Sequence, residues 1–179
     1  LADPFDGPRL HGGVAEAEPA AHGIGRPGGA DDEWERMLAV NLTGAIATLE
    51  FALPRLRAQG GGQLVAITSV AGSRGMPFMG AYSAAKAGLH RYVQALRAEV
   101  KHEPIVVTEL APGYIDTDMN RGVKSRPFVI PLEKGGAILA RMIERGVGHR
   151  YVPVWPWTIV VPLVKLLPTR LLAPPPRKK

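Results

Sequence analysis

Tyr82-Ser83-Ala84-Ala85-Lys86 sets a phenol and an ammonium four residues apart. In a helix that separation brings both side chains out on one face, close enough to meet. A phenol near its reference pKa of about 10 is a poor proton donor or acceptor at pH 7. A lysine held beside it favours the phenolate and draws that value down. Such a pair is a tunable general acid/base, suited to protonating a developing alkoxide or deprotonating an alcohol. The spacing alone is a weak signal, so the surrounding elements have to carry the argument.

Ser69 closes the apolar run Gln63-Leu64-Val65-Ala66-Ile67-Thr68-Ser69. The run reads as a buried parallel strand over 63–69, with Gly61-Gly62 breaking the chain before it and Ala71-Gly72 turning it afterwards. Ligands of open α/β sheets sit outside the carboxyl ends of the strands, which is where Ser69 falls. Thr68 is the weaker candidate, because it points to the opposite face of the strand. Asn41 lies upstream in Val40-Asn41-Leu42-Thr43-Gly44. Downstream, Ala111-Pro112-Gly113-Tyr114-Ile115-Asp116-Thr117 follows a second apolar run at 105–110.

The elements alternate. Asp31 or Asp32 can cap a helix that continues to about Ala58, with Pro54 expected to kink or shorten its last turn. A long helix from about Ala81 to His102 carries Tyr82 and Lys86, and strand 105–110 follows. Pro131 suits a first turn and opens a helix over 132–145, and residues 150–154 read as a short strand. This alternation predicts an α/β fold with a parallel sheet covered by helices on both faces. Residues 1–30 are rich in Gly, Pro and Ala and read as an irregular segment, followed by a catalytic part over 31–155 and an apolar, basic tail over 156–179.

A chain of 179 residues, 46% hydrophobic and 21% charged, has the composition of one globular domain with a sizeable core. It has no cysteine, which excludes disulfides, thiolate metal sites and cysteine nucleophiles. His11, His22, His90, His102 and His149 show no ligand spacing in sequence, so no metal site is expected. Asp116, Asp118 and Asn120 lack the Gly and distal Glu of a calcium loop. The net charge of +6 fits a solvated basic surface, and no nucleic-acid-binding motif accompanies it. No signal peptide is visible and a cytoplasmic setting is expected, although the chain opens on Leu1, which suggests lost upstream sequence. Residues 152–164 are uncharged, but a bilayer span needs about 20 apolar residues. The tail is therefore expected to pack over a sheet edge or substrate entrance. The competing expectation is peripheral membrane contact, with Trp155 and Trp157 at the headgroups.

Taken in series, these motifs resemble the short-chain dehydrogenase/reductase family over about residues 10–155. The resemblance implies a partial Rossmann-like, doubly wound sheet and NAD or NADP as cofactor. Tyr82 would then act on the substrate oxygen, with Lys86 lowering its pKa and holding the nicotinamide ribose. Ser69 would bind and steady the substrate carbonyl, and Asn41 would hold a water relaying protons to Lys86. Pro112 and Gly113 would shape the turn beside the nicotinamide, with the Ile115 backbone and Thr117 hydroxyl meeting its carboxamide. The family opens on a strand and a glycine-rich phosphate-binding turn. Gly23-Ile24-Gly25 follows no strand and reads as a decoy, and of His11-Gly12-Gly13-Val14 only Gly13 fits the family's Asn-Asn-Ala-Gly loop. The chain is thus expected to hold the catalytic half without the first strands.

Three functions follow as expectations. The first is an NAD(P)-dependent oxidoreductase, a homodimer or homotetramer acting on a small alcohol or ketone, with the apolar tail favouring a lipophilic one. The second is a non-catalytic remnant whose helices 32–58 and 81–102 serve as a dimerisation or partner-binding module. The third is a peripheral membrane protein built around the tail.

Overall fold

The computed structural model describes residues 33–172, apart from residues 121, 122 and 124. The irregular segment expected at 1–30, the Gly23-Ile24-Gly25 turn and the basic end at 177–179 lie outside the described residues. Three strands, β1 (Gly62–Ile67), β2 (Ile105–Pro112) and β3 (His149–Val152), pair in parallel in that order. Parallel neighbours need a crossover. Helices α3 (Gly80–Glu99) and α4 (Leu132–Glu144) supply the two crossovers; α1 (Glu33–Leu38) and α2 (Ala45–Ala58) precede the sheet and α5 (Val154–Leu166) follows it.

Strand alternation sorts the side chains between the two faces. Leu64, Ala66, Ile105 and Val107 join Leu49 and Leu53 of α2 and Leu89, Val93 and Leu96 of α3 in one core cluster. Burying an aliphatic side chain as completely as Leu89 or Val93 stabilises the fold by about 1.5–3 kcal/mol. On the other face the Gln63 amide donates to Thr108 Oγ1 and to the Ile143 carbonyl of α4, both at 2.8 Å. Helices therefore cover both faces of a partial Rossmann-like sheet, as expected.

Several boundaries differ from the sequence reading, each for a local reason. The single helix expected to reach Ala58 is interrupted by a π-helical segment, Ala39–Gly44, with Asn41 inside it. Pro54 does not shorten α2, which runs on to Ala58. β1 ends at Ile67, two residues early: Thr68 keeps a sheet hydrogen bond to the Leu110 carbonyl (2.8 Å), while Ser69 caps a 3-10 turn, Val70–Ser73, accepting from the Ala71 amide (3.1 Å). α3 stops at Glu99, and β2 continues to Pro112.

The tail is helical over Val154–Leu166, α5. Trp155 keeps extended backbone angles (φ −94°, ψ 132°), so the helix proper begins at Pro156, whose fixed φ and missing N–H suit a first turn. Trp157 and Val161 are buried, while Ile159, Leu163 and Leu166 face solvent. Arg74 donates to the carbonyls of Val164 (2.6 Å) and Lys165 (3.0 Å), placing a cation at the C-terminal end of α5. Among the described residues, Glu33–Ala58 is long and apolar enough to cross a membrane by length and composition. Leu49 and Leu53 of this stretch sit in the core cluster, and most of its other residues are exposed or half-buried.

Candidate active site

Tyr82 and Lys86 leave α3 near its first turns, beside the carboxyl end of β1. The Tyr82 phenol lies above its ordinary pKa: burial raises it most, a hydrogen bond with the Ser69 side chain pulls it down, and the neighbouring Tyr114 raises it again. The Lys86 ammonium donates to the Ile67 carbonyl at 3.1 Å and stands 5.7 Å from the Tyr82 ring centroid. Burial holds it below the ordinary lysine value. The expectation that Lys86 draws the phenol down is thus not met in this state. The ammonium is anchored on a strand-end carbonyl, and desolvation favours the uncharged form of both groups.

Ser69 is brought to Tyr82 by the turn it caps. Its hydroxyl also lies 3.4 Å from the Pro112 carbonyl, tying the end of β1 to the end of β2. Gly72 lets this turn rest directly on α3. A Cβ at that position would lie 2.8 Å from the Lys86 carbonyl carbon and 3.0 Å from the Ala87 nitrogen. Thr68, one residue earlier, points to the other face and donates to Glu109 Oε1 at 3.0 Å.

The remaining sequence-derived residues are spread around this centre. Asn41 lies in the π-helical segment, a conformation frequent at functional sites. Its amide nitrogen is engaged within its own helix, donating to the Met37 carbonyl at 3.2 Å. Gly113 donates to the Val152 carbonyl (2.9 Å) and must be glycine, because a Cβ would meet the Trp157 indole nitrogen at 2.2 Å. Ile115 pairs with Ile130 in an isolated bridge, and its carbonyl accepts from the Asn120 amide at 2.6 Å. Thr117 lines a separate pocket with Asp116, Asp118, Pro131, Leu132 and Glu133, a set that excludes Ser69, Tyr82 and Lys86. Arg126 binds Asp116 and also Asn120 Oδ1 (3.0 Å), so a guanidinium holds two of the residues that resemble a calcium loop in sequence.

Three features lie outside the residues singled out from the sequence. Tyr114, inside the Pro112-Gly113 motif, lies close enough to Tyr82 to affect its ionisation. Trp157 of α5 covers Gly113 and packs edge-on to Phe128, with ring centroids 5.4 Å apart. His90, Glu109 and His149 converge from α3, β2 and β3. The first was visible as a second phenol in the motif, whereas the other two depend on tertiary packing.

The family model for short chain dehydrogenases matches residues 23–127. An uncharacterized oxidoreductase of Mycobacterium tuberculosis (strain CDC 1551 / Oshkosh) is 40% identical over 135 residues, which are 75% of this chain and 53% of that protein. An uncharacterized oxidoreductase of Myxococcus xanthus (strain DK1622) is 32% identical over 144 residues, 77% of this chain and 56% of that one. The chain spans about half the length of these curated relatives. Among solved structures, a short chain dehydrogenase from Burkholderia cenocepacia J2315 in complex with NADP aligns with a TM-score of 0.64 at 25% identity, covering 72% of this chain and 55% of that one. The acetoin dehydrogenase from Enterobacter cloacae shares the fold, with a TM-score of 0.59 at 24% identity over 72% of this chain and 57% of its own. A family match over more than half of the residues, on a sheet wound in the same way, settles the kinship: the chain belongs to the short chain dehydrogenase family of oxidoreductases.

Proposed function

We propose that this chain forms the catalytic half of an NAD(P)-dependent oxidoreductase that interconverts an alcohol and a ketone or aldehyde, with Tyr82 as general acid/base. The observation that supports this most is the Ser69 side chain close enough to the Tyr82 phenol to lower its pKa, with the Lys86 ammonium over the same ring, 5.7 Å from its centroid. When bound, the nicotinamide cofactor supplies or accepts the hydride. The described residues suit its nicotinamide end. Lys86 has three N–H donors and uses one on the Ile67 carbonyl, which leaves two for ribose hydroxyls.

In the reductive direction the raised pKa keeps the Tyr82 proton in place until the substrate oxygen gains charge. Ser69 donates a hydrogen bond to that oxygen, stabilising its developing charge. Asn41 holds a water that returns a proton by way of Lys86. Pro112, Gly113 and Ile115 border the carboxamide, and Trp157 with Phe128 gives the entrance an apolar wall that favours a lipophilic substrate. The test is NADH and NADPH consumption with a panel of aliphatic ketones and aldehydes, comparing wild type with Tyr82→Phe. Undiminished turnover in the variant removes Tyr82 from the mechanism.

A second reading, a dimerisation or partner-binding module, draws on one observation. The helix spanning residues 33–58 leaves Val40 and Phe51 about half exposed, at 52% and 49%. Titration with NADH and NADPH beside sedimentation equilibrium separates the two readings: a dimer that binds neither dinucleotide supports the module.

A further inference from the structure

One turn beyond Lys86 on α3, a second polar cluster lies on the face of the sheet beneath the helix. Glu109 sits in the middle strand, in register with Ala66 of β1 on one side and His149 of β3 on the other. His90 reaches it from α3. The His90 Nδ1 is 2.6 Å from Glu109 Oε1, and the His149 Nδ1 is 3.1 Å from Oε2. Each residue offers a donor atom, and these atoms lie within 4.8 Å of one another.

The Glu109 side chain is fully buried. Oε1 is well provided for, by His90 and by Thr68 at 3.0 Å. Oε2 is not: it and the His149 Nδ1 are both buried without an aligned hydrogen bond, despite their closeness. The nearest guanidinium nitrogen, Arg97 Nη2, stands 3.7 Å from Oε2 and is committed to the Gly148 carbonyl at 2.9 Å. Oε2 keeps only the poorly aligned His149 contact and the more distant Arg97, and a bound cation would supply the aligned contact that a buried carboxylate oxygen needs.

We propose that His90, Glu109 and His149 form a binding site for a divalent transition metal of the zinc type, with the fourth position taken by water. Two imidazoles and one carboxylate are a donor set that suits zinc. Tetrahedral bonds of about 2.0–2.2 Å separate neighbouring donors by about 3.3–3.5 Å, so the close His90–Glu109 contact has to open by less than about 1 Å. The two imidazole side chains are 23% and 30% exposed, which gives the ion a route in from solvent. Thr68 orients the carboxylate from behind, the kind of outer hydrogen bond that metal-bound carboxylates keep. Arg97 opposes the ion and sets the affinity below that of an unopposed site with the same ligands. Bound metal would clamp α3 to β2 and β3 one turn beyond Lys86.

The experiment is calorimetric titration of the chelator-stripped chain with Zn²⁺ at pH 7, together with Co²⁺ titration followed by visible absorption. One equivalent of Zn²⁺ per chain is expected, with intense four-coordinate Co²⁺ bands that Zn²⁺ bleaches. His90→Gln and His149→Gln each weaken binding by about tenfold or more. The triple variant His11→Ala, His22→Ala, His102→Ala binds as the wild type does. The proposal is overturned if the wild type binds neither ion, if both Gln variants keep its affinity, or if the triple variant abolishes binding. The first and third results decide the matter even where a Gln variant fails to fold.

Discussion

Helix α3 serves two polar clusters one turn apart, and they answer burial in opposite ways. Around Tyr82 and Lys86 no counter-charge among the described residues offsets desolvation, which pushes the phenol up and the ammonium down, both toward neutrality. Around Glu109 burial is again the largest influence and again favours the neutral acid. Here His149 and His90 outweigh it together, and the carboxyl ends below its ordinary value. Thr68 and Ser69 are neighbours in the chain, yet they feed different clusters because successive residues of an extended strand point to opposite faces. The contrast teaches that depth alone does not fix a protonation state; the groups facing the buried atom do. One cluster is built to keep a proton until it is needed, the other to hold a charge.

The largest expected effect breaks the first cluster alone. Tyr82→Phe should lower turnover by about 10²–10⁴-fold while changing unfolding free energy by no more than about 1.5 kcal/mol, the worth of the lost Ser69 hydrogen bond. Steady-state kinetics beside urea titration would show both, and a collapse of stability would mean that the phenol is structural. Leu89, between Lys86 and His90 in sequence, belongs to the apolar core and is 2% exposed. Leu89→Ala should cost about 2–5 kcal/mol in a denaturant titration; a smaller loss would mean that α3 is not the shared support. Gly113→Ala should cost about 1–3 kcal/mol through overpacking against Trp157 and shift indole fluorescence, and unchanged emission would argue against that contact.

The smallest effect sharpens the electrostatic contrast. The folded pKa of Tyr82 lies above the unfolded value of about 10. Its contribution to stability is therefore complete below pH 10 and disappears as the pH climbs through the folded value. Thermal unfolding of wild type and Tyr82→Phe between pH 8 and 11 should show the wild type losing stability more steeply. Parallel curves would mean that burial does not perturb the phenol.

Sequence revealed one cluster and hid the other, and the reason is geometric. Tyr82 and Lys86 are four residues apart in one helix, so their meeting follows from helical pitch. His90, Glu109 and His149 come from three elements, and only the pairing of β2 with β3 sets the last two side by side. The π-helical widening around Asn41 leaves no composition cue, since Ala39–Gly44 reads as ordinary helix. α5 was concealed because Pro156 and Pro162 read as breakers, whereas one of them stands at the first turn. The parallel sheet could be read because two apolar runs, each bounded by Gly or Pro, flank a long amphipathic helix.

Gly72 carries a last consequence. Because the turn lies flush on the helix backbone, the seating of Ser69 over α3 depends on Gly72 presenting nothing larger than a hydrogen atom. Adding a methyl group there would act as a shim, lifting Ser69 from Tyr82 while leaving both reacting groups chemically intact. Misplacements of about 1 Å can cost a hundredfold in rate, so Gly72→Ala offers a way to weigh alignment separately from acidity.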